Sequence, residues 1–214
     1  MTGHKISAML TAKIMKMDFL DSLPKRKTAL IIAGANGSGK TTFAKALLRK
    51  RRFDLPFLNP DEIAKEVISD SPETVAMRAG KIYISKRNDL LSRNHSFAIE
   101  TTFCGNNMQR FTQSVKANSY KLFIVYAFVD NPDLCIARIR IRVESGGHFI
   151  PDDLVRRRFS ISHRNFWETF RFAADEWAIV YNGGKPPALV AVGQGFNYTV
   201  NDNALFELFK ENIK

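Results

Sequence analysis

The sequence predicts an α/β protein in which a parallel sheet is flanked by helices. Short apolar runs, typical of buried strands, alternate with longer stretches whose apolar spacing is typical of helices. Hydrophobic residues make up 45% and charged residues 25% of the 214 residues, as in ordinary globular proteins. The chain has no repeat, low-complexity segment or Pro/Ser linker, so we predict one domain over 28–214.

The first predicted strand, TALIIAG (28–34), leads through a glycine-rich loop into the helix that begins KTTFAKALLRK. The loop has the pattern Gly-x4-Gly-Lys-Thr of a phosphate-binding loop, or P-loop. There, backbone N–H groups and the helix N-terminus surround phosphate oxygens, Lys40 reaches the β- and γ-phosphates, and Thr41 ligates Mg²⁺. The predicted nucleotide-binding residues are Gly34, Ala35, Asn36, Gly37, Ser38, Gly39, Lys40, Thr41 and Thr42.

The segment LPFLNPDEIAKEV (55–67) predicts a short second strand, a turn at Asn59-Pro60 and a helix. Ligands bind at the carboxyl ends of strands in α/β sheets, so Asp61 is a candidate general base or metal-holding group. It equally fits a residue that only complements the helix N-terminus.

A long helix is predicted over 72–94, followed by the strand SFAIETTF (96–103). Glu100 closes this strand, where a carboxylate ligates Mg²⁺ through water or binds a substrate hydroxyl, and Thr101 and Thr102 are candidates for contacting substrate or phosphate. The alternative is that strand-end polar groups only satisfy the local backbone.

The rest of the chain predicts a strand over 119–129, helices over 131–147 and 150–173, two strands in EWAIVYNGG and ALVAVGQ, and a last helix over about 202–213. Eight arginines lie between 138 and 171, and a helical lid over about 138–165 would bring guanidinium groups to the phosphates. A solvated basic face, or a surface for nucleic acid, is the alternative.

The charge of 32 − 21 = +11 indicates an anionic partner, such as a nucleotide, a phosphorylated metabolite or a nucleic acid. Cys104 and Cys135 have no metal-ligand spacing and are expected to be free thiols in a reducing compartment. No apolar run is long enough to cross a membrane, and residues 1–27 lack a signal-peptide core, so we expect a cytoplasmic protein. Residues 1–27 are predicted to be a leader or a docked helix.

The sequence argues against two other classes of phosphate-loop protein. VESGGH superficially matches the signature of ABC transporter ATPases, but no apolar strand ending in Asp-Glu follows it. The Asn-Lys-x-Asp motif by which GTPases read guanine is also absent from the sequence.

Four segments, in order, are GANGSGKTT, FLNPDEIA, FAIETTF and RVESGGHFIPDDLVRRRF. Together they resemble the zeta-toxin family of P-loop kinases, in its compact bacterial branch, over roughly 28–190. The resemblance implies a nucleotide-kinase-like fold and transfer of the γ-phosphate of ATP, with Mg²⁺, to a sugar hydroxyl of UDP-N-acetylglucosamine. It leaves open whether the chain is the toxin of a toxin–antitoxin pair with an antitoxin protein as partner.

Position by position, the resemblance gives Lys40 and Thr41 as the loop residues and Asp61 as the base. Glu100 matches the strand-end acid and Thr102 a substrate threonine. The lid arginines are Arg142 and either Arg157 or Arg158.

The leading hypothesis is therefore an ATP-dependent small-molecule kinase with a UDP-amino sugar as acceptor. The alternatives are a kinase for NAD, a nucleoside, an antibiotic or a polynucleotide 5′ end, and a nucleotide-gated protein that binds nucleic acid. Nucleic acid is the less favoured partner.

Overall fold

The structure, a computed structural model, describes residues 27–50, 55–67, 71–147 and 149–213. Residues 1–26, which make up nearly all of the predicted leader or docked helix, lie outside the described residues. Among the helices of the described ranges, none is long and apolar enough to cross a bilayer.

One seven-stranded sheet with the order β2-β3-β1-β4-β5-β6-β7 forms the centre of the described chain. Its strands are β1 (Thr28–Ala33), β2 (Phe57–Leu58), β3 (Phe97–Thr101), β4 (Lys121–Phe128), β5 (Glu176–Tyr181), β6 (Ala188–Gln194) and β7 (Asn197–Val200). The first five pair in parallel, and β6 and β7 are antiparallel to their neighbours.

Helices flank the sheet and connect its parallel strands. They are α1 (Lys40–Lys50), α2 (Pro60–Glu66), α3 (Pro72–Ser92), α4 (Asn107–Ala117), α5 (Pro132–Glu144), α6 (Asp152–Asn165), α7 (Arg171–Ala173) and α8 (Asn203–Glu211). A π-helical turn, Phe166–Phe170, joins α6 to α7.

The alternation of side chains along the central strand builds a core on each face of the sheet. Leu30 and Ile32 pack in the cluster that contains Phe43 and Leu47 of α1. Ala29 and Ile31 point the other way, into the cluster formed by α3, α4, the π-helical turn and α8. Because β1 is covered on both faces, all six of its residues are buried.

A third cluster joins α5 and α6 to the phosphate-binding loop. It contains Ala35 of the loop together with Cys135 and Ile139 of α5 and Val155 and Phe159 of α6. The two helices predicted to form the lid therefore share a small core with the loop, in addition to the contacts that α6 makes with the sheet through Ser162 and His163.

The predicted α/β class with a P-loop kinase-like sheet is confirmed, but the sheet is mixed rather than wholly parallel. The connection from β5 to β6 spans only residues 182–187, too short for the crossover that a parallel strand needs. β7 and α4 were not predicted. The helix predicted over 150–173 is interrupted by the π-helical turn.

Cys104 is half-buried and Cys135 is buried, and both are free thiols, as predicted. Burial raises the pKa of the Cys104 thiol and raises that of Cys135 to about 12. Both groups are therefore poor nucleophiles near neutral pH.

Candidate active site

The glycine-rich loop follows β1 and ends at the first turn of α1, as the sequence predicts. Gly37 and Gly39 both have φ of +80°, in the left-handed region that favours glycine. A Cβ on Gly37 would overlap the backbone of Cys135, and one on Gly39 would overlap the amide of Asn182. These glycines are thus required both by their backbone conformation and by the close approach of neighbouring segments.

Lys40 lies within the loop and is only 6% exposed. Its ammonium donates a hydrogen bond to the carbonyl of Ala35 at 2.9 Å and lies 3.8 Å from a carboxylate oxygen of Glu100. The lysine side chain is therefore already folded over the loop in which phosphates are expected.

A buried polar network connects the loop to the ends of β2 and β3. The hydroxyl of Thr41 donates to Glu100 Oε1 at 3.0 Å. The side-chain amide of Asn59 donates to Glu100 Oε2 at 3.1 Å and to Thr41 Oγ1 at 3.3 Å. Behind Glu100, the hydroxyl of Tyr83 in α3 donates to the Glu100 carbonyl at 2.9 Å. The sequence-predicted residues Lys40, Thr41 and Glu100 are thus brought together.

The protonation of Glu100 is decided by opposing effects. Burial raises the pKa of its carboxyl group, whereas the nearby Lys40 ammonium and the Thr41 hydrogen bond lower it, and the net direction is upward. Asp61 and Glu62 add a further upward contribution because they carry the same charge.

Asp61 lies in the first turn of α2, directly after β2. Its Oδ2 accepts a hydrogen bond from Arg142 Nη1 of α5 at 3.0 Å. The two side chains are 45% and 37% exposed, so the pair is open to water. The structure therefore brings Asp61 and Arg142, residues 81 positions apart, to the same edge of the sheet as the loop.

The other predicted lid arginines lie on α6. Arg158 Nη1 is 3.5 Å from Asn36 Oδ1 in the glycine-rich loop, whereas Arg157 is exposed. Of the two alternatives, Arg158 is the one that contacts the glycine-rich loop. Arg156 pairs with Asp133 and Arg140 with Asp152, and both pairs are exposed.

Thr102 and Thr42 are less involved in the network. Thr102 is half-buried, and its Oγ1 accepts a hydrogen bond from the backbone of Cys104 at 3.4 Å. Thr42 is exposed on the first turn of α1. Thr102 borders the site, but its hydroxyl forms part of a local turn.

The chain also matches known proteins. Residues 30–164 fit the family model described as an AAA domain. The chain belongs to this AAA domain family. An uncharacterized protein of Haemophilus influenzae is 30% identical over 133 residues, which cover 61% of this chain and 91% of that protein.

Two solved structures are similar in fold. A chain of the AvrRxo1-ORF1:-ORF2 complex with ATP superimposes with a TM-score of 0.69 at 16% identity, over 96% of this AAA-domain chain and 70% of that chain. A chain of the PezAT chromosomal toxin–antitoxin system of Streptococcus pneumoniae gives a TM-score of 0.63 at 22% identity, over 92% and 85%. These likenesses confirm the predicted zeta-toxin-like P-loop kinase fold.

Two residues of this site, Asn182 and Asn59, were missed from the sequence, and Arg138 was predicted only as one of the eight arginines of the lid region. Arg138 Nη2 donates to the carbonyl of Asn182 at 3.0 Å, and Asn182 donates through Nδ2 to the carbonyl of Ser38 at 2.7 Å. These contacts tie α5 and the end of β5 to the glycine-rich loop, and no local pattern marks Asn182. The sequence signals Asn59 only as a turn residue before Pro60.

The donor set fits a nucleotide with bound Mg²⁺. The hydroxyl of Ser38 is fully buried in the loop, and no hydrogen-bond partner for it occurs among the described residues, so a phosphate oxygen can satisfy it. In the same ranges, no group of three or more His, Cys, Asp or Glu side chains could hold a metal by itself. Mg²⁺ needs few protein ligands when phosphates and waters supply the others, and Thr41 and Glu100 are the side chains at this position that could supply them.

Proposed function

We propose that this AAA-domain protein is an ATP-dependent kinase that phosphorylates a hydroxyl group of a small molecule, with a UDP-amino sugar as the favoured acceptor. The observation that carries the proposal is Asp61. It is a half-buried, water-accessible carboxylate that follows a strand end, beside a loop fit for phosphates and in contact with an arginine of the proposed lid.

The residues have complementary roles in the proposed transfer. Lys40, Ser38 and the backbone N–H groups of the loop bind and orient the phosphates, with Thr41 and Glu100 facing Mg²⁺. When bound, Mg²⁺ neutralises phosphate charge. Asp61 takes the proton of the acceptor hydroxyl while the hydroxyl oxygen bonds to the γ-phosphorus of ATP. The bond between the γ-phosphorus and the oxygen that bridges to the β-phosphate breaks at the same time, and ADP leaves.

Arginines of the proposed lid would stabilise the charge on the transferring phosphoryl group. Arg142 pairs with Asp61 and Arg158 contacts Asn36 of the loop, so both guanidinium groups lie against residues of the proposed site. An arginine in this position contributes on the order of 10³–10⁵-fold in rate.

The names of the similar structures support these assignments. One is a complex that contains ATP, which supports ATP as the phosphate donor. Another belongs to a toxin–antitoxin system, which supports an antitoxin protein as a partner of this chain as well. The UDP-amino sugar rests on the four sequence segments that resemble zeta toxins.

The test is a screen of acceptors with γ-labelled ATP and Mg²⁺. The purified protein is incubated with UDP-N-acetylglucosamine, NAD, nucleosides, aminoglycoside antibiotics and a 5′-hydroxyl oligonucleotide in parallel. We expect label to move to UDP-N-acetylglucosamine. Transfer to another acceptor would keep the kinase and replace the substrate, whereas binding of the oligonucleotide without transfer to any acceptor would contradict the kinase.

Lys40→Ala provides the control for this screen. Lys40 is the lysine of the phosphate-loop pattern and its ammonium is held over the loop, so we expect transfer to be abolished. Transfer at the wild-type rate with saturating ATP would refute the phosphate-loop assignment.

A further inference from the structure

Asn59 lies between the nucleotide side and the acceptor side of the proposed site. It is 2% exposed and occupies the N-cap of α2, with β2 before it and Asp61 two residues after it. The oxygen and the nitrogen of its side-chain amide have partners on different parts of the site.

The carbonyl oxygen of the Asn59 side chain faces α2. It accepts hydrogen bonds from the backbone N–H of Asp61 at 2.8 Å and of Glu62 at 3.4 Å. These bonds fix the first turn of the helix that carries Asp61.

The NH2 group of the same side chain faces the loop and β3. It donates to Glu100 Oε2 and to Thr41 Oγ1, while the Thr41 hydroxyl donates to Glu100 Oε1. Both oxygens of the buried carboxylate are therefore held by neighbouring side chains. An aspartate would cap the helix equally well but would place an oxygen against Glu100, and a serine would cap it without reaching Glu100.

The chain contains an internal comparison. The tripeptide Asn-Pro-Asp occurs at 59–61 and again at 131–133, and each asparagine caps a helix that begins with the following proline. Asn131 is exposed, and its Oδ1 accepts a hydrogen bond from the backbone N–H of Leu134 at 3.1 Å. An asparagine can therefore cap a helix without being buried. Of these two asparagines, Asn59 is the one that is buried and also contacts a carboxylate.

We propose that Asn59 is a positioning residue that holds the metal-facing pair Thr41 and Glu100 in register with Asp61, so that one side chain couples the nucleotide subsite to the acceptor subsite. The proposal rests on the proposed kinase function, since it assigns a role within the same site. It predicts that removal of the NH2 group weakens the contribution of Mg²⁺ to nucleotide binding, even where the helix cap is kept.

The test compares Asn59→Ser with Asn131→Ser by calorimetric titration of ADP, once with Mg²⁺ and once with EDTA. Loss of a group that orients metal ligands typically lowers metal affinity or activity about 10–100-fold. We expect Asn59→Ser to reduce the gain in ADP affinity that Mg²⁺ provides by about tenfold. We expect its affinity for metal-free ADP to stay near that of the wild type, and Asn131→Ser to keep both affinities.

The outcomes separate the role proposed for Asn59 from the proposed kinase function. An unchanged Mg²⁺-dependent gain in Asn59→Ser, in a wild type that binds MgADP, would overturn the role of Asn59 and leave the kinase proposal standing. Failure of the wild type to bind MgADP would overturn both. A gain lost equally in Asn131→Ser would also overturn the assignment, because it would reflect capping alone.

A second measurement needs neither nucleotide nor acceptor and remains valid if Asn59→Ser does not fold. Asn59→Asp places a carboxylate against Glu100 and should lower the Tm. In the double variant with Glu100→Gln, the amide at position 100 donates to the carboxylate at position 59, so the hydrogen bond runs in the direction opposite to that in the wild type. We expect Glu100→Gln to raise the Tm more in the Asn59→Asp background than in the wild type. Equal effects of Glu100→Gln in both backgrounds would overturn the proposed role of Asn59 in positioning Glu100.

Discussion

Asp61 and Arg142 form an ion pair that orients both side chains and that a phosphate can replace. Their contact is 3.0 Å, but both groups are open to water. Ion pairs that stay accessible to water typically contribute about 0.2–1 kcal/mol to stability, and this half-buried pair lies near that range. We expect an incoming phosphate to compete with Asp61 for the Arg142 guanidinium group and to leave the Asp61 carboxylate available to a hydroxyl group.

Asp61→Asn tests the role of this carboxylate. The substitution keeps the shape and removes the proton acceptor, and general-base catalysis typically contributes about 10²–10⁴-fold. We expect phosphate transfer to fall by about that factor while the affinity for ATP changes little. Steady-state transfer and direct titration with a non-hydrolysable ATP analogue measure the two quantities.

Glu62→Gln is the matched control, because Glu62 lies beside Asp61 in the same first turn but pairs with Lys45 of α1. We expect its transfer rate to stay close to that of the wild type. If Asp61→Asn also transfers phosphate at a near-normal rate, Asp61 is only a helix-terminal acid, and Glu100 becomes the next candidate for the base.

Individual residues differ in how far the sequence predicts them. Lys40 and Thr41 follow from a local pattern, since the glycine-rich loop fixes their positions relative to its own backbone. The Arg138–Asn182 contact joins residues 44 positions apart, and the Asn182–Ser38 contact joins residues 144 positions apart. Such contacts depend on how β5 and α5 pack against the loop, and neighbouring residues in the chain do not encode them.

Among the elements, α5 and α6 are the candidates for a lid. The backbone of Cys135 near the start of α5 lies against Gly37, so this end of α5 is held at the loop. The end of α5 passes into Gly146, with φ of +80° and open space around its Cα. We therefore propose that movement concentrates in the C-terminal part of α5 and in the first turn of α6, within the predicted lid of about 138–165.

Hydrogen exchange tests this proposal at the level of elements. The lid arginines gain a phosphate target only when nucleotide is bound, so a non-hydrolysable ATP analogue with Mg²⁺ should slow exchange over 138–147 and 149–165. Exchange in the central strand β4 serves as the internal control and should not change. Unchanged exchange in the lid at saturating analogue would indicate a static basic surface.

Some helices could be predicted from local sequence signals and others could not. α5 and the helix after β2 follow from local signals, an asparagine cap and a proline at the first turn. The π-helical turn continues the helical spacing of α6, so the pattern of apolar residues does not reveal it. It places Phe166 and Phe170 in the core, where Phe170 stacks on Phe103 at 3.9 Å between ring centroids.

At the scale of the whole molecule, the alternation of strands and helices predicts the α/β class, and the topology then collects the site. The carboxyl ends of β1, β2 and β3 lie together at one edge of the sheet because the strands are parallel. This edge carries the loop, Asp61 and Glu100, although they are far apart in the sequence. The direction of β6 is not given by its apolar pattern, but the short connection before it requires the antiparallel arrangement.

The aromatic core on one face of the sheet contains a histidine that affects the stability of the whole fold. His163 is fully buried among Tyr126, Phe128, Phe159 and Phe209. Its Nδ1 lies 2.7 Å from the carbonyl of Phe159, which suits a neutral ring that donates from this atom. Burial lowers the pKa of His163 from 6.5 to about 4, against a smaller upward effect of that carbonyl.

This shift predicts a loss of stability in weak acid. Between pH 6.5 and about 4 the unfolded chain binds a proton at residue 163 that the folded chain does not, so the free energy of unfolding falls as the pH falls. At about 1.4 kcal/mol per pKa unit, the loss is about 3 kcal/mol over this window. Urea unfolding of His163→Leu should lack this component, whereas His95→Gln, at an exposed histidine, should retain it. If His163→Leu and the wild type lose equal stability between pH 6.5 and 4, the ring is not held neutral by the aromatic core.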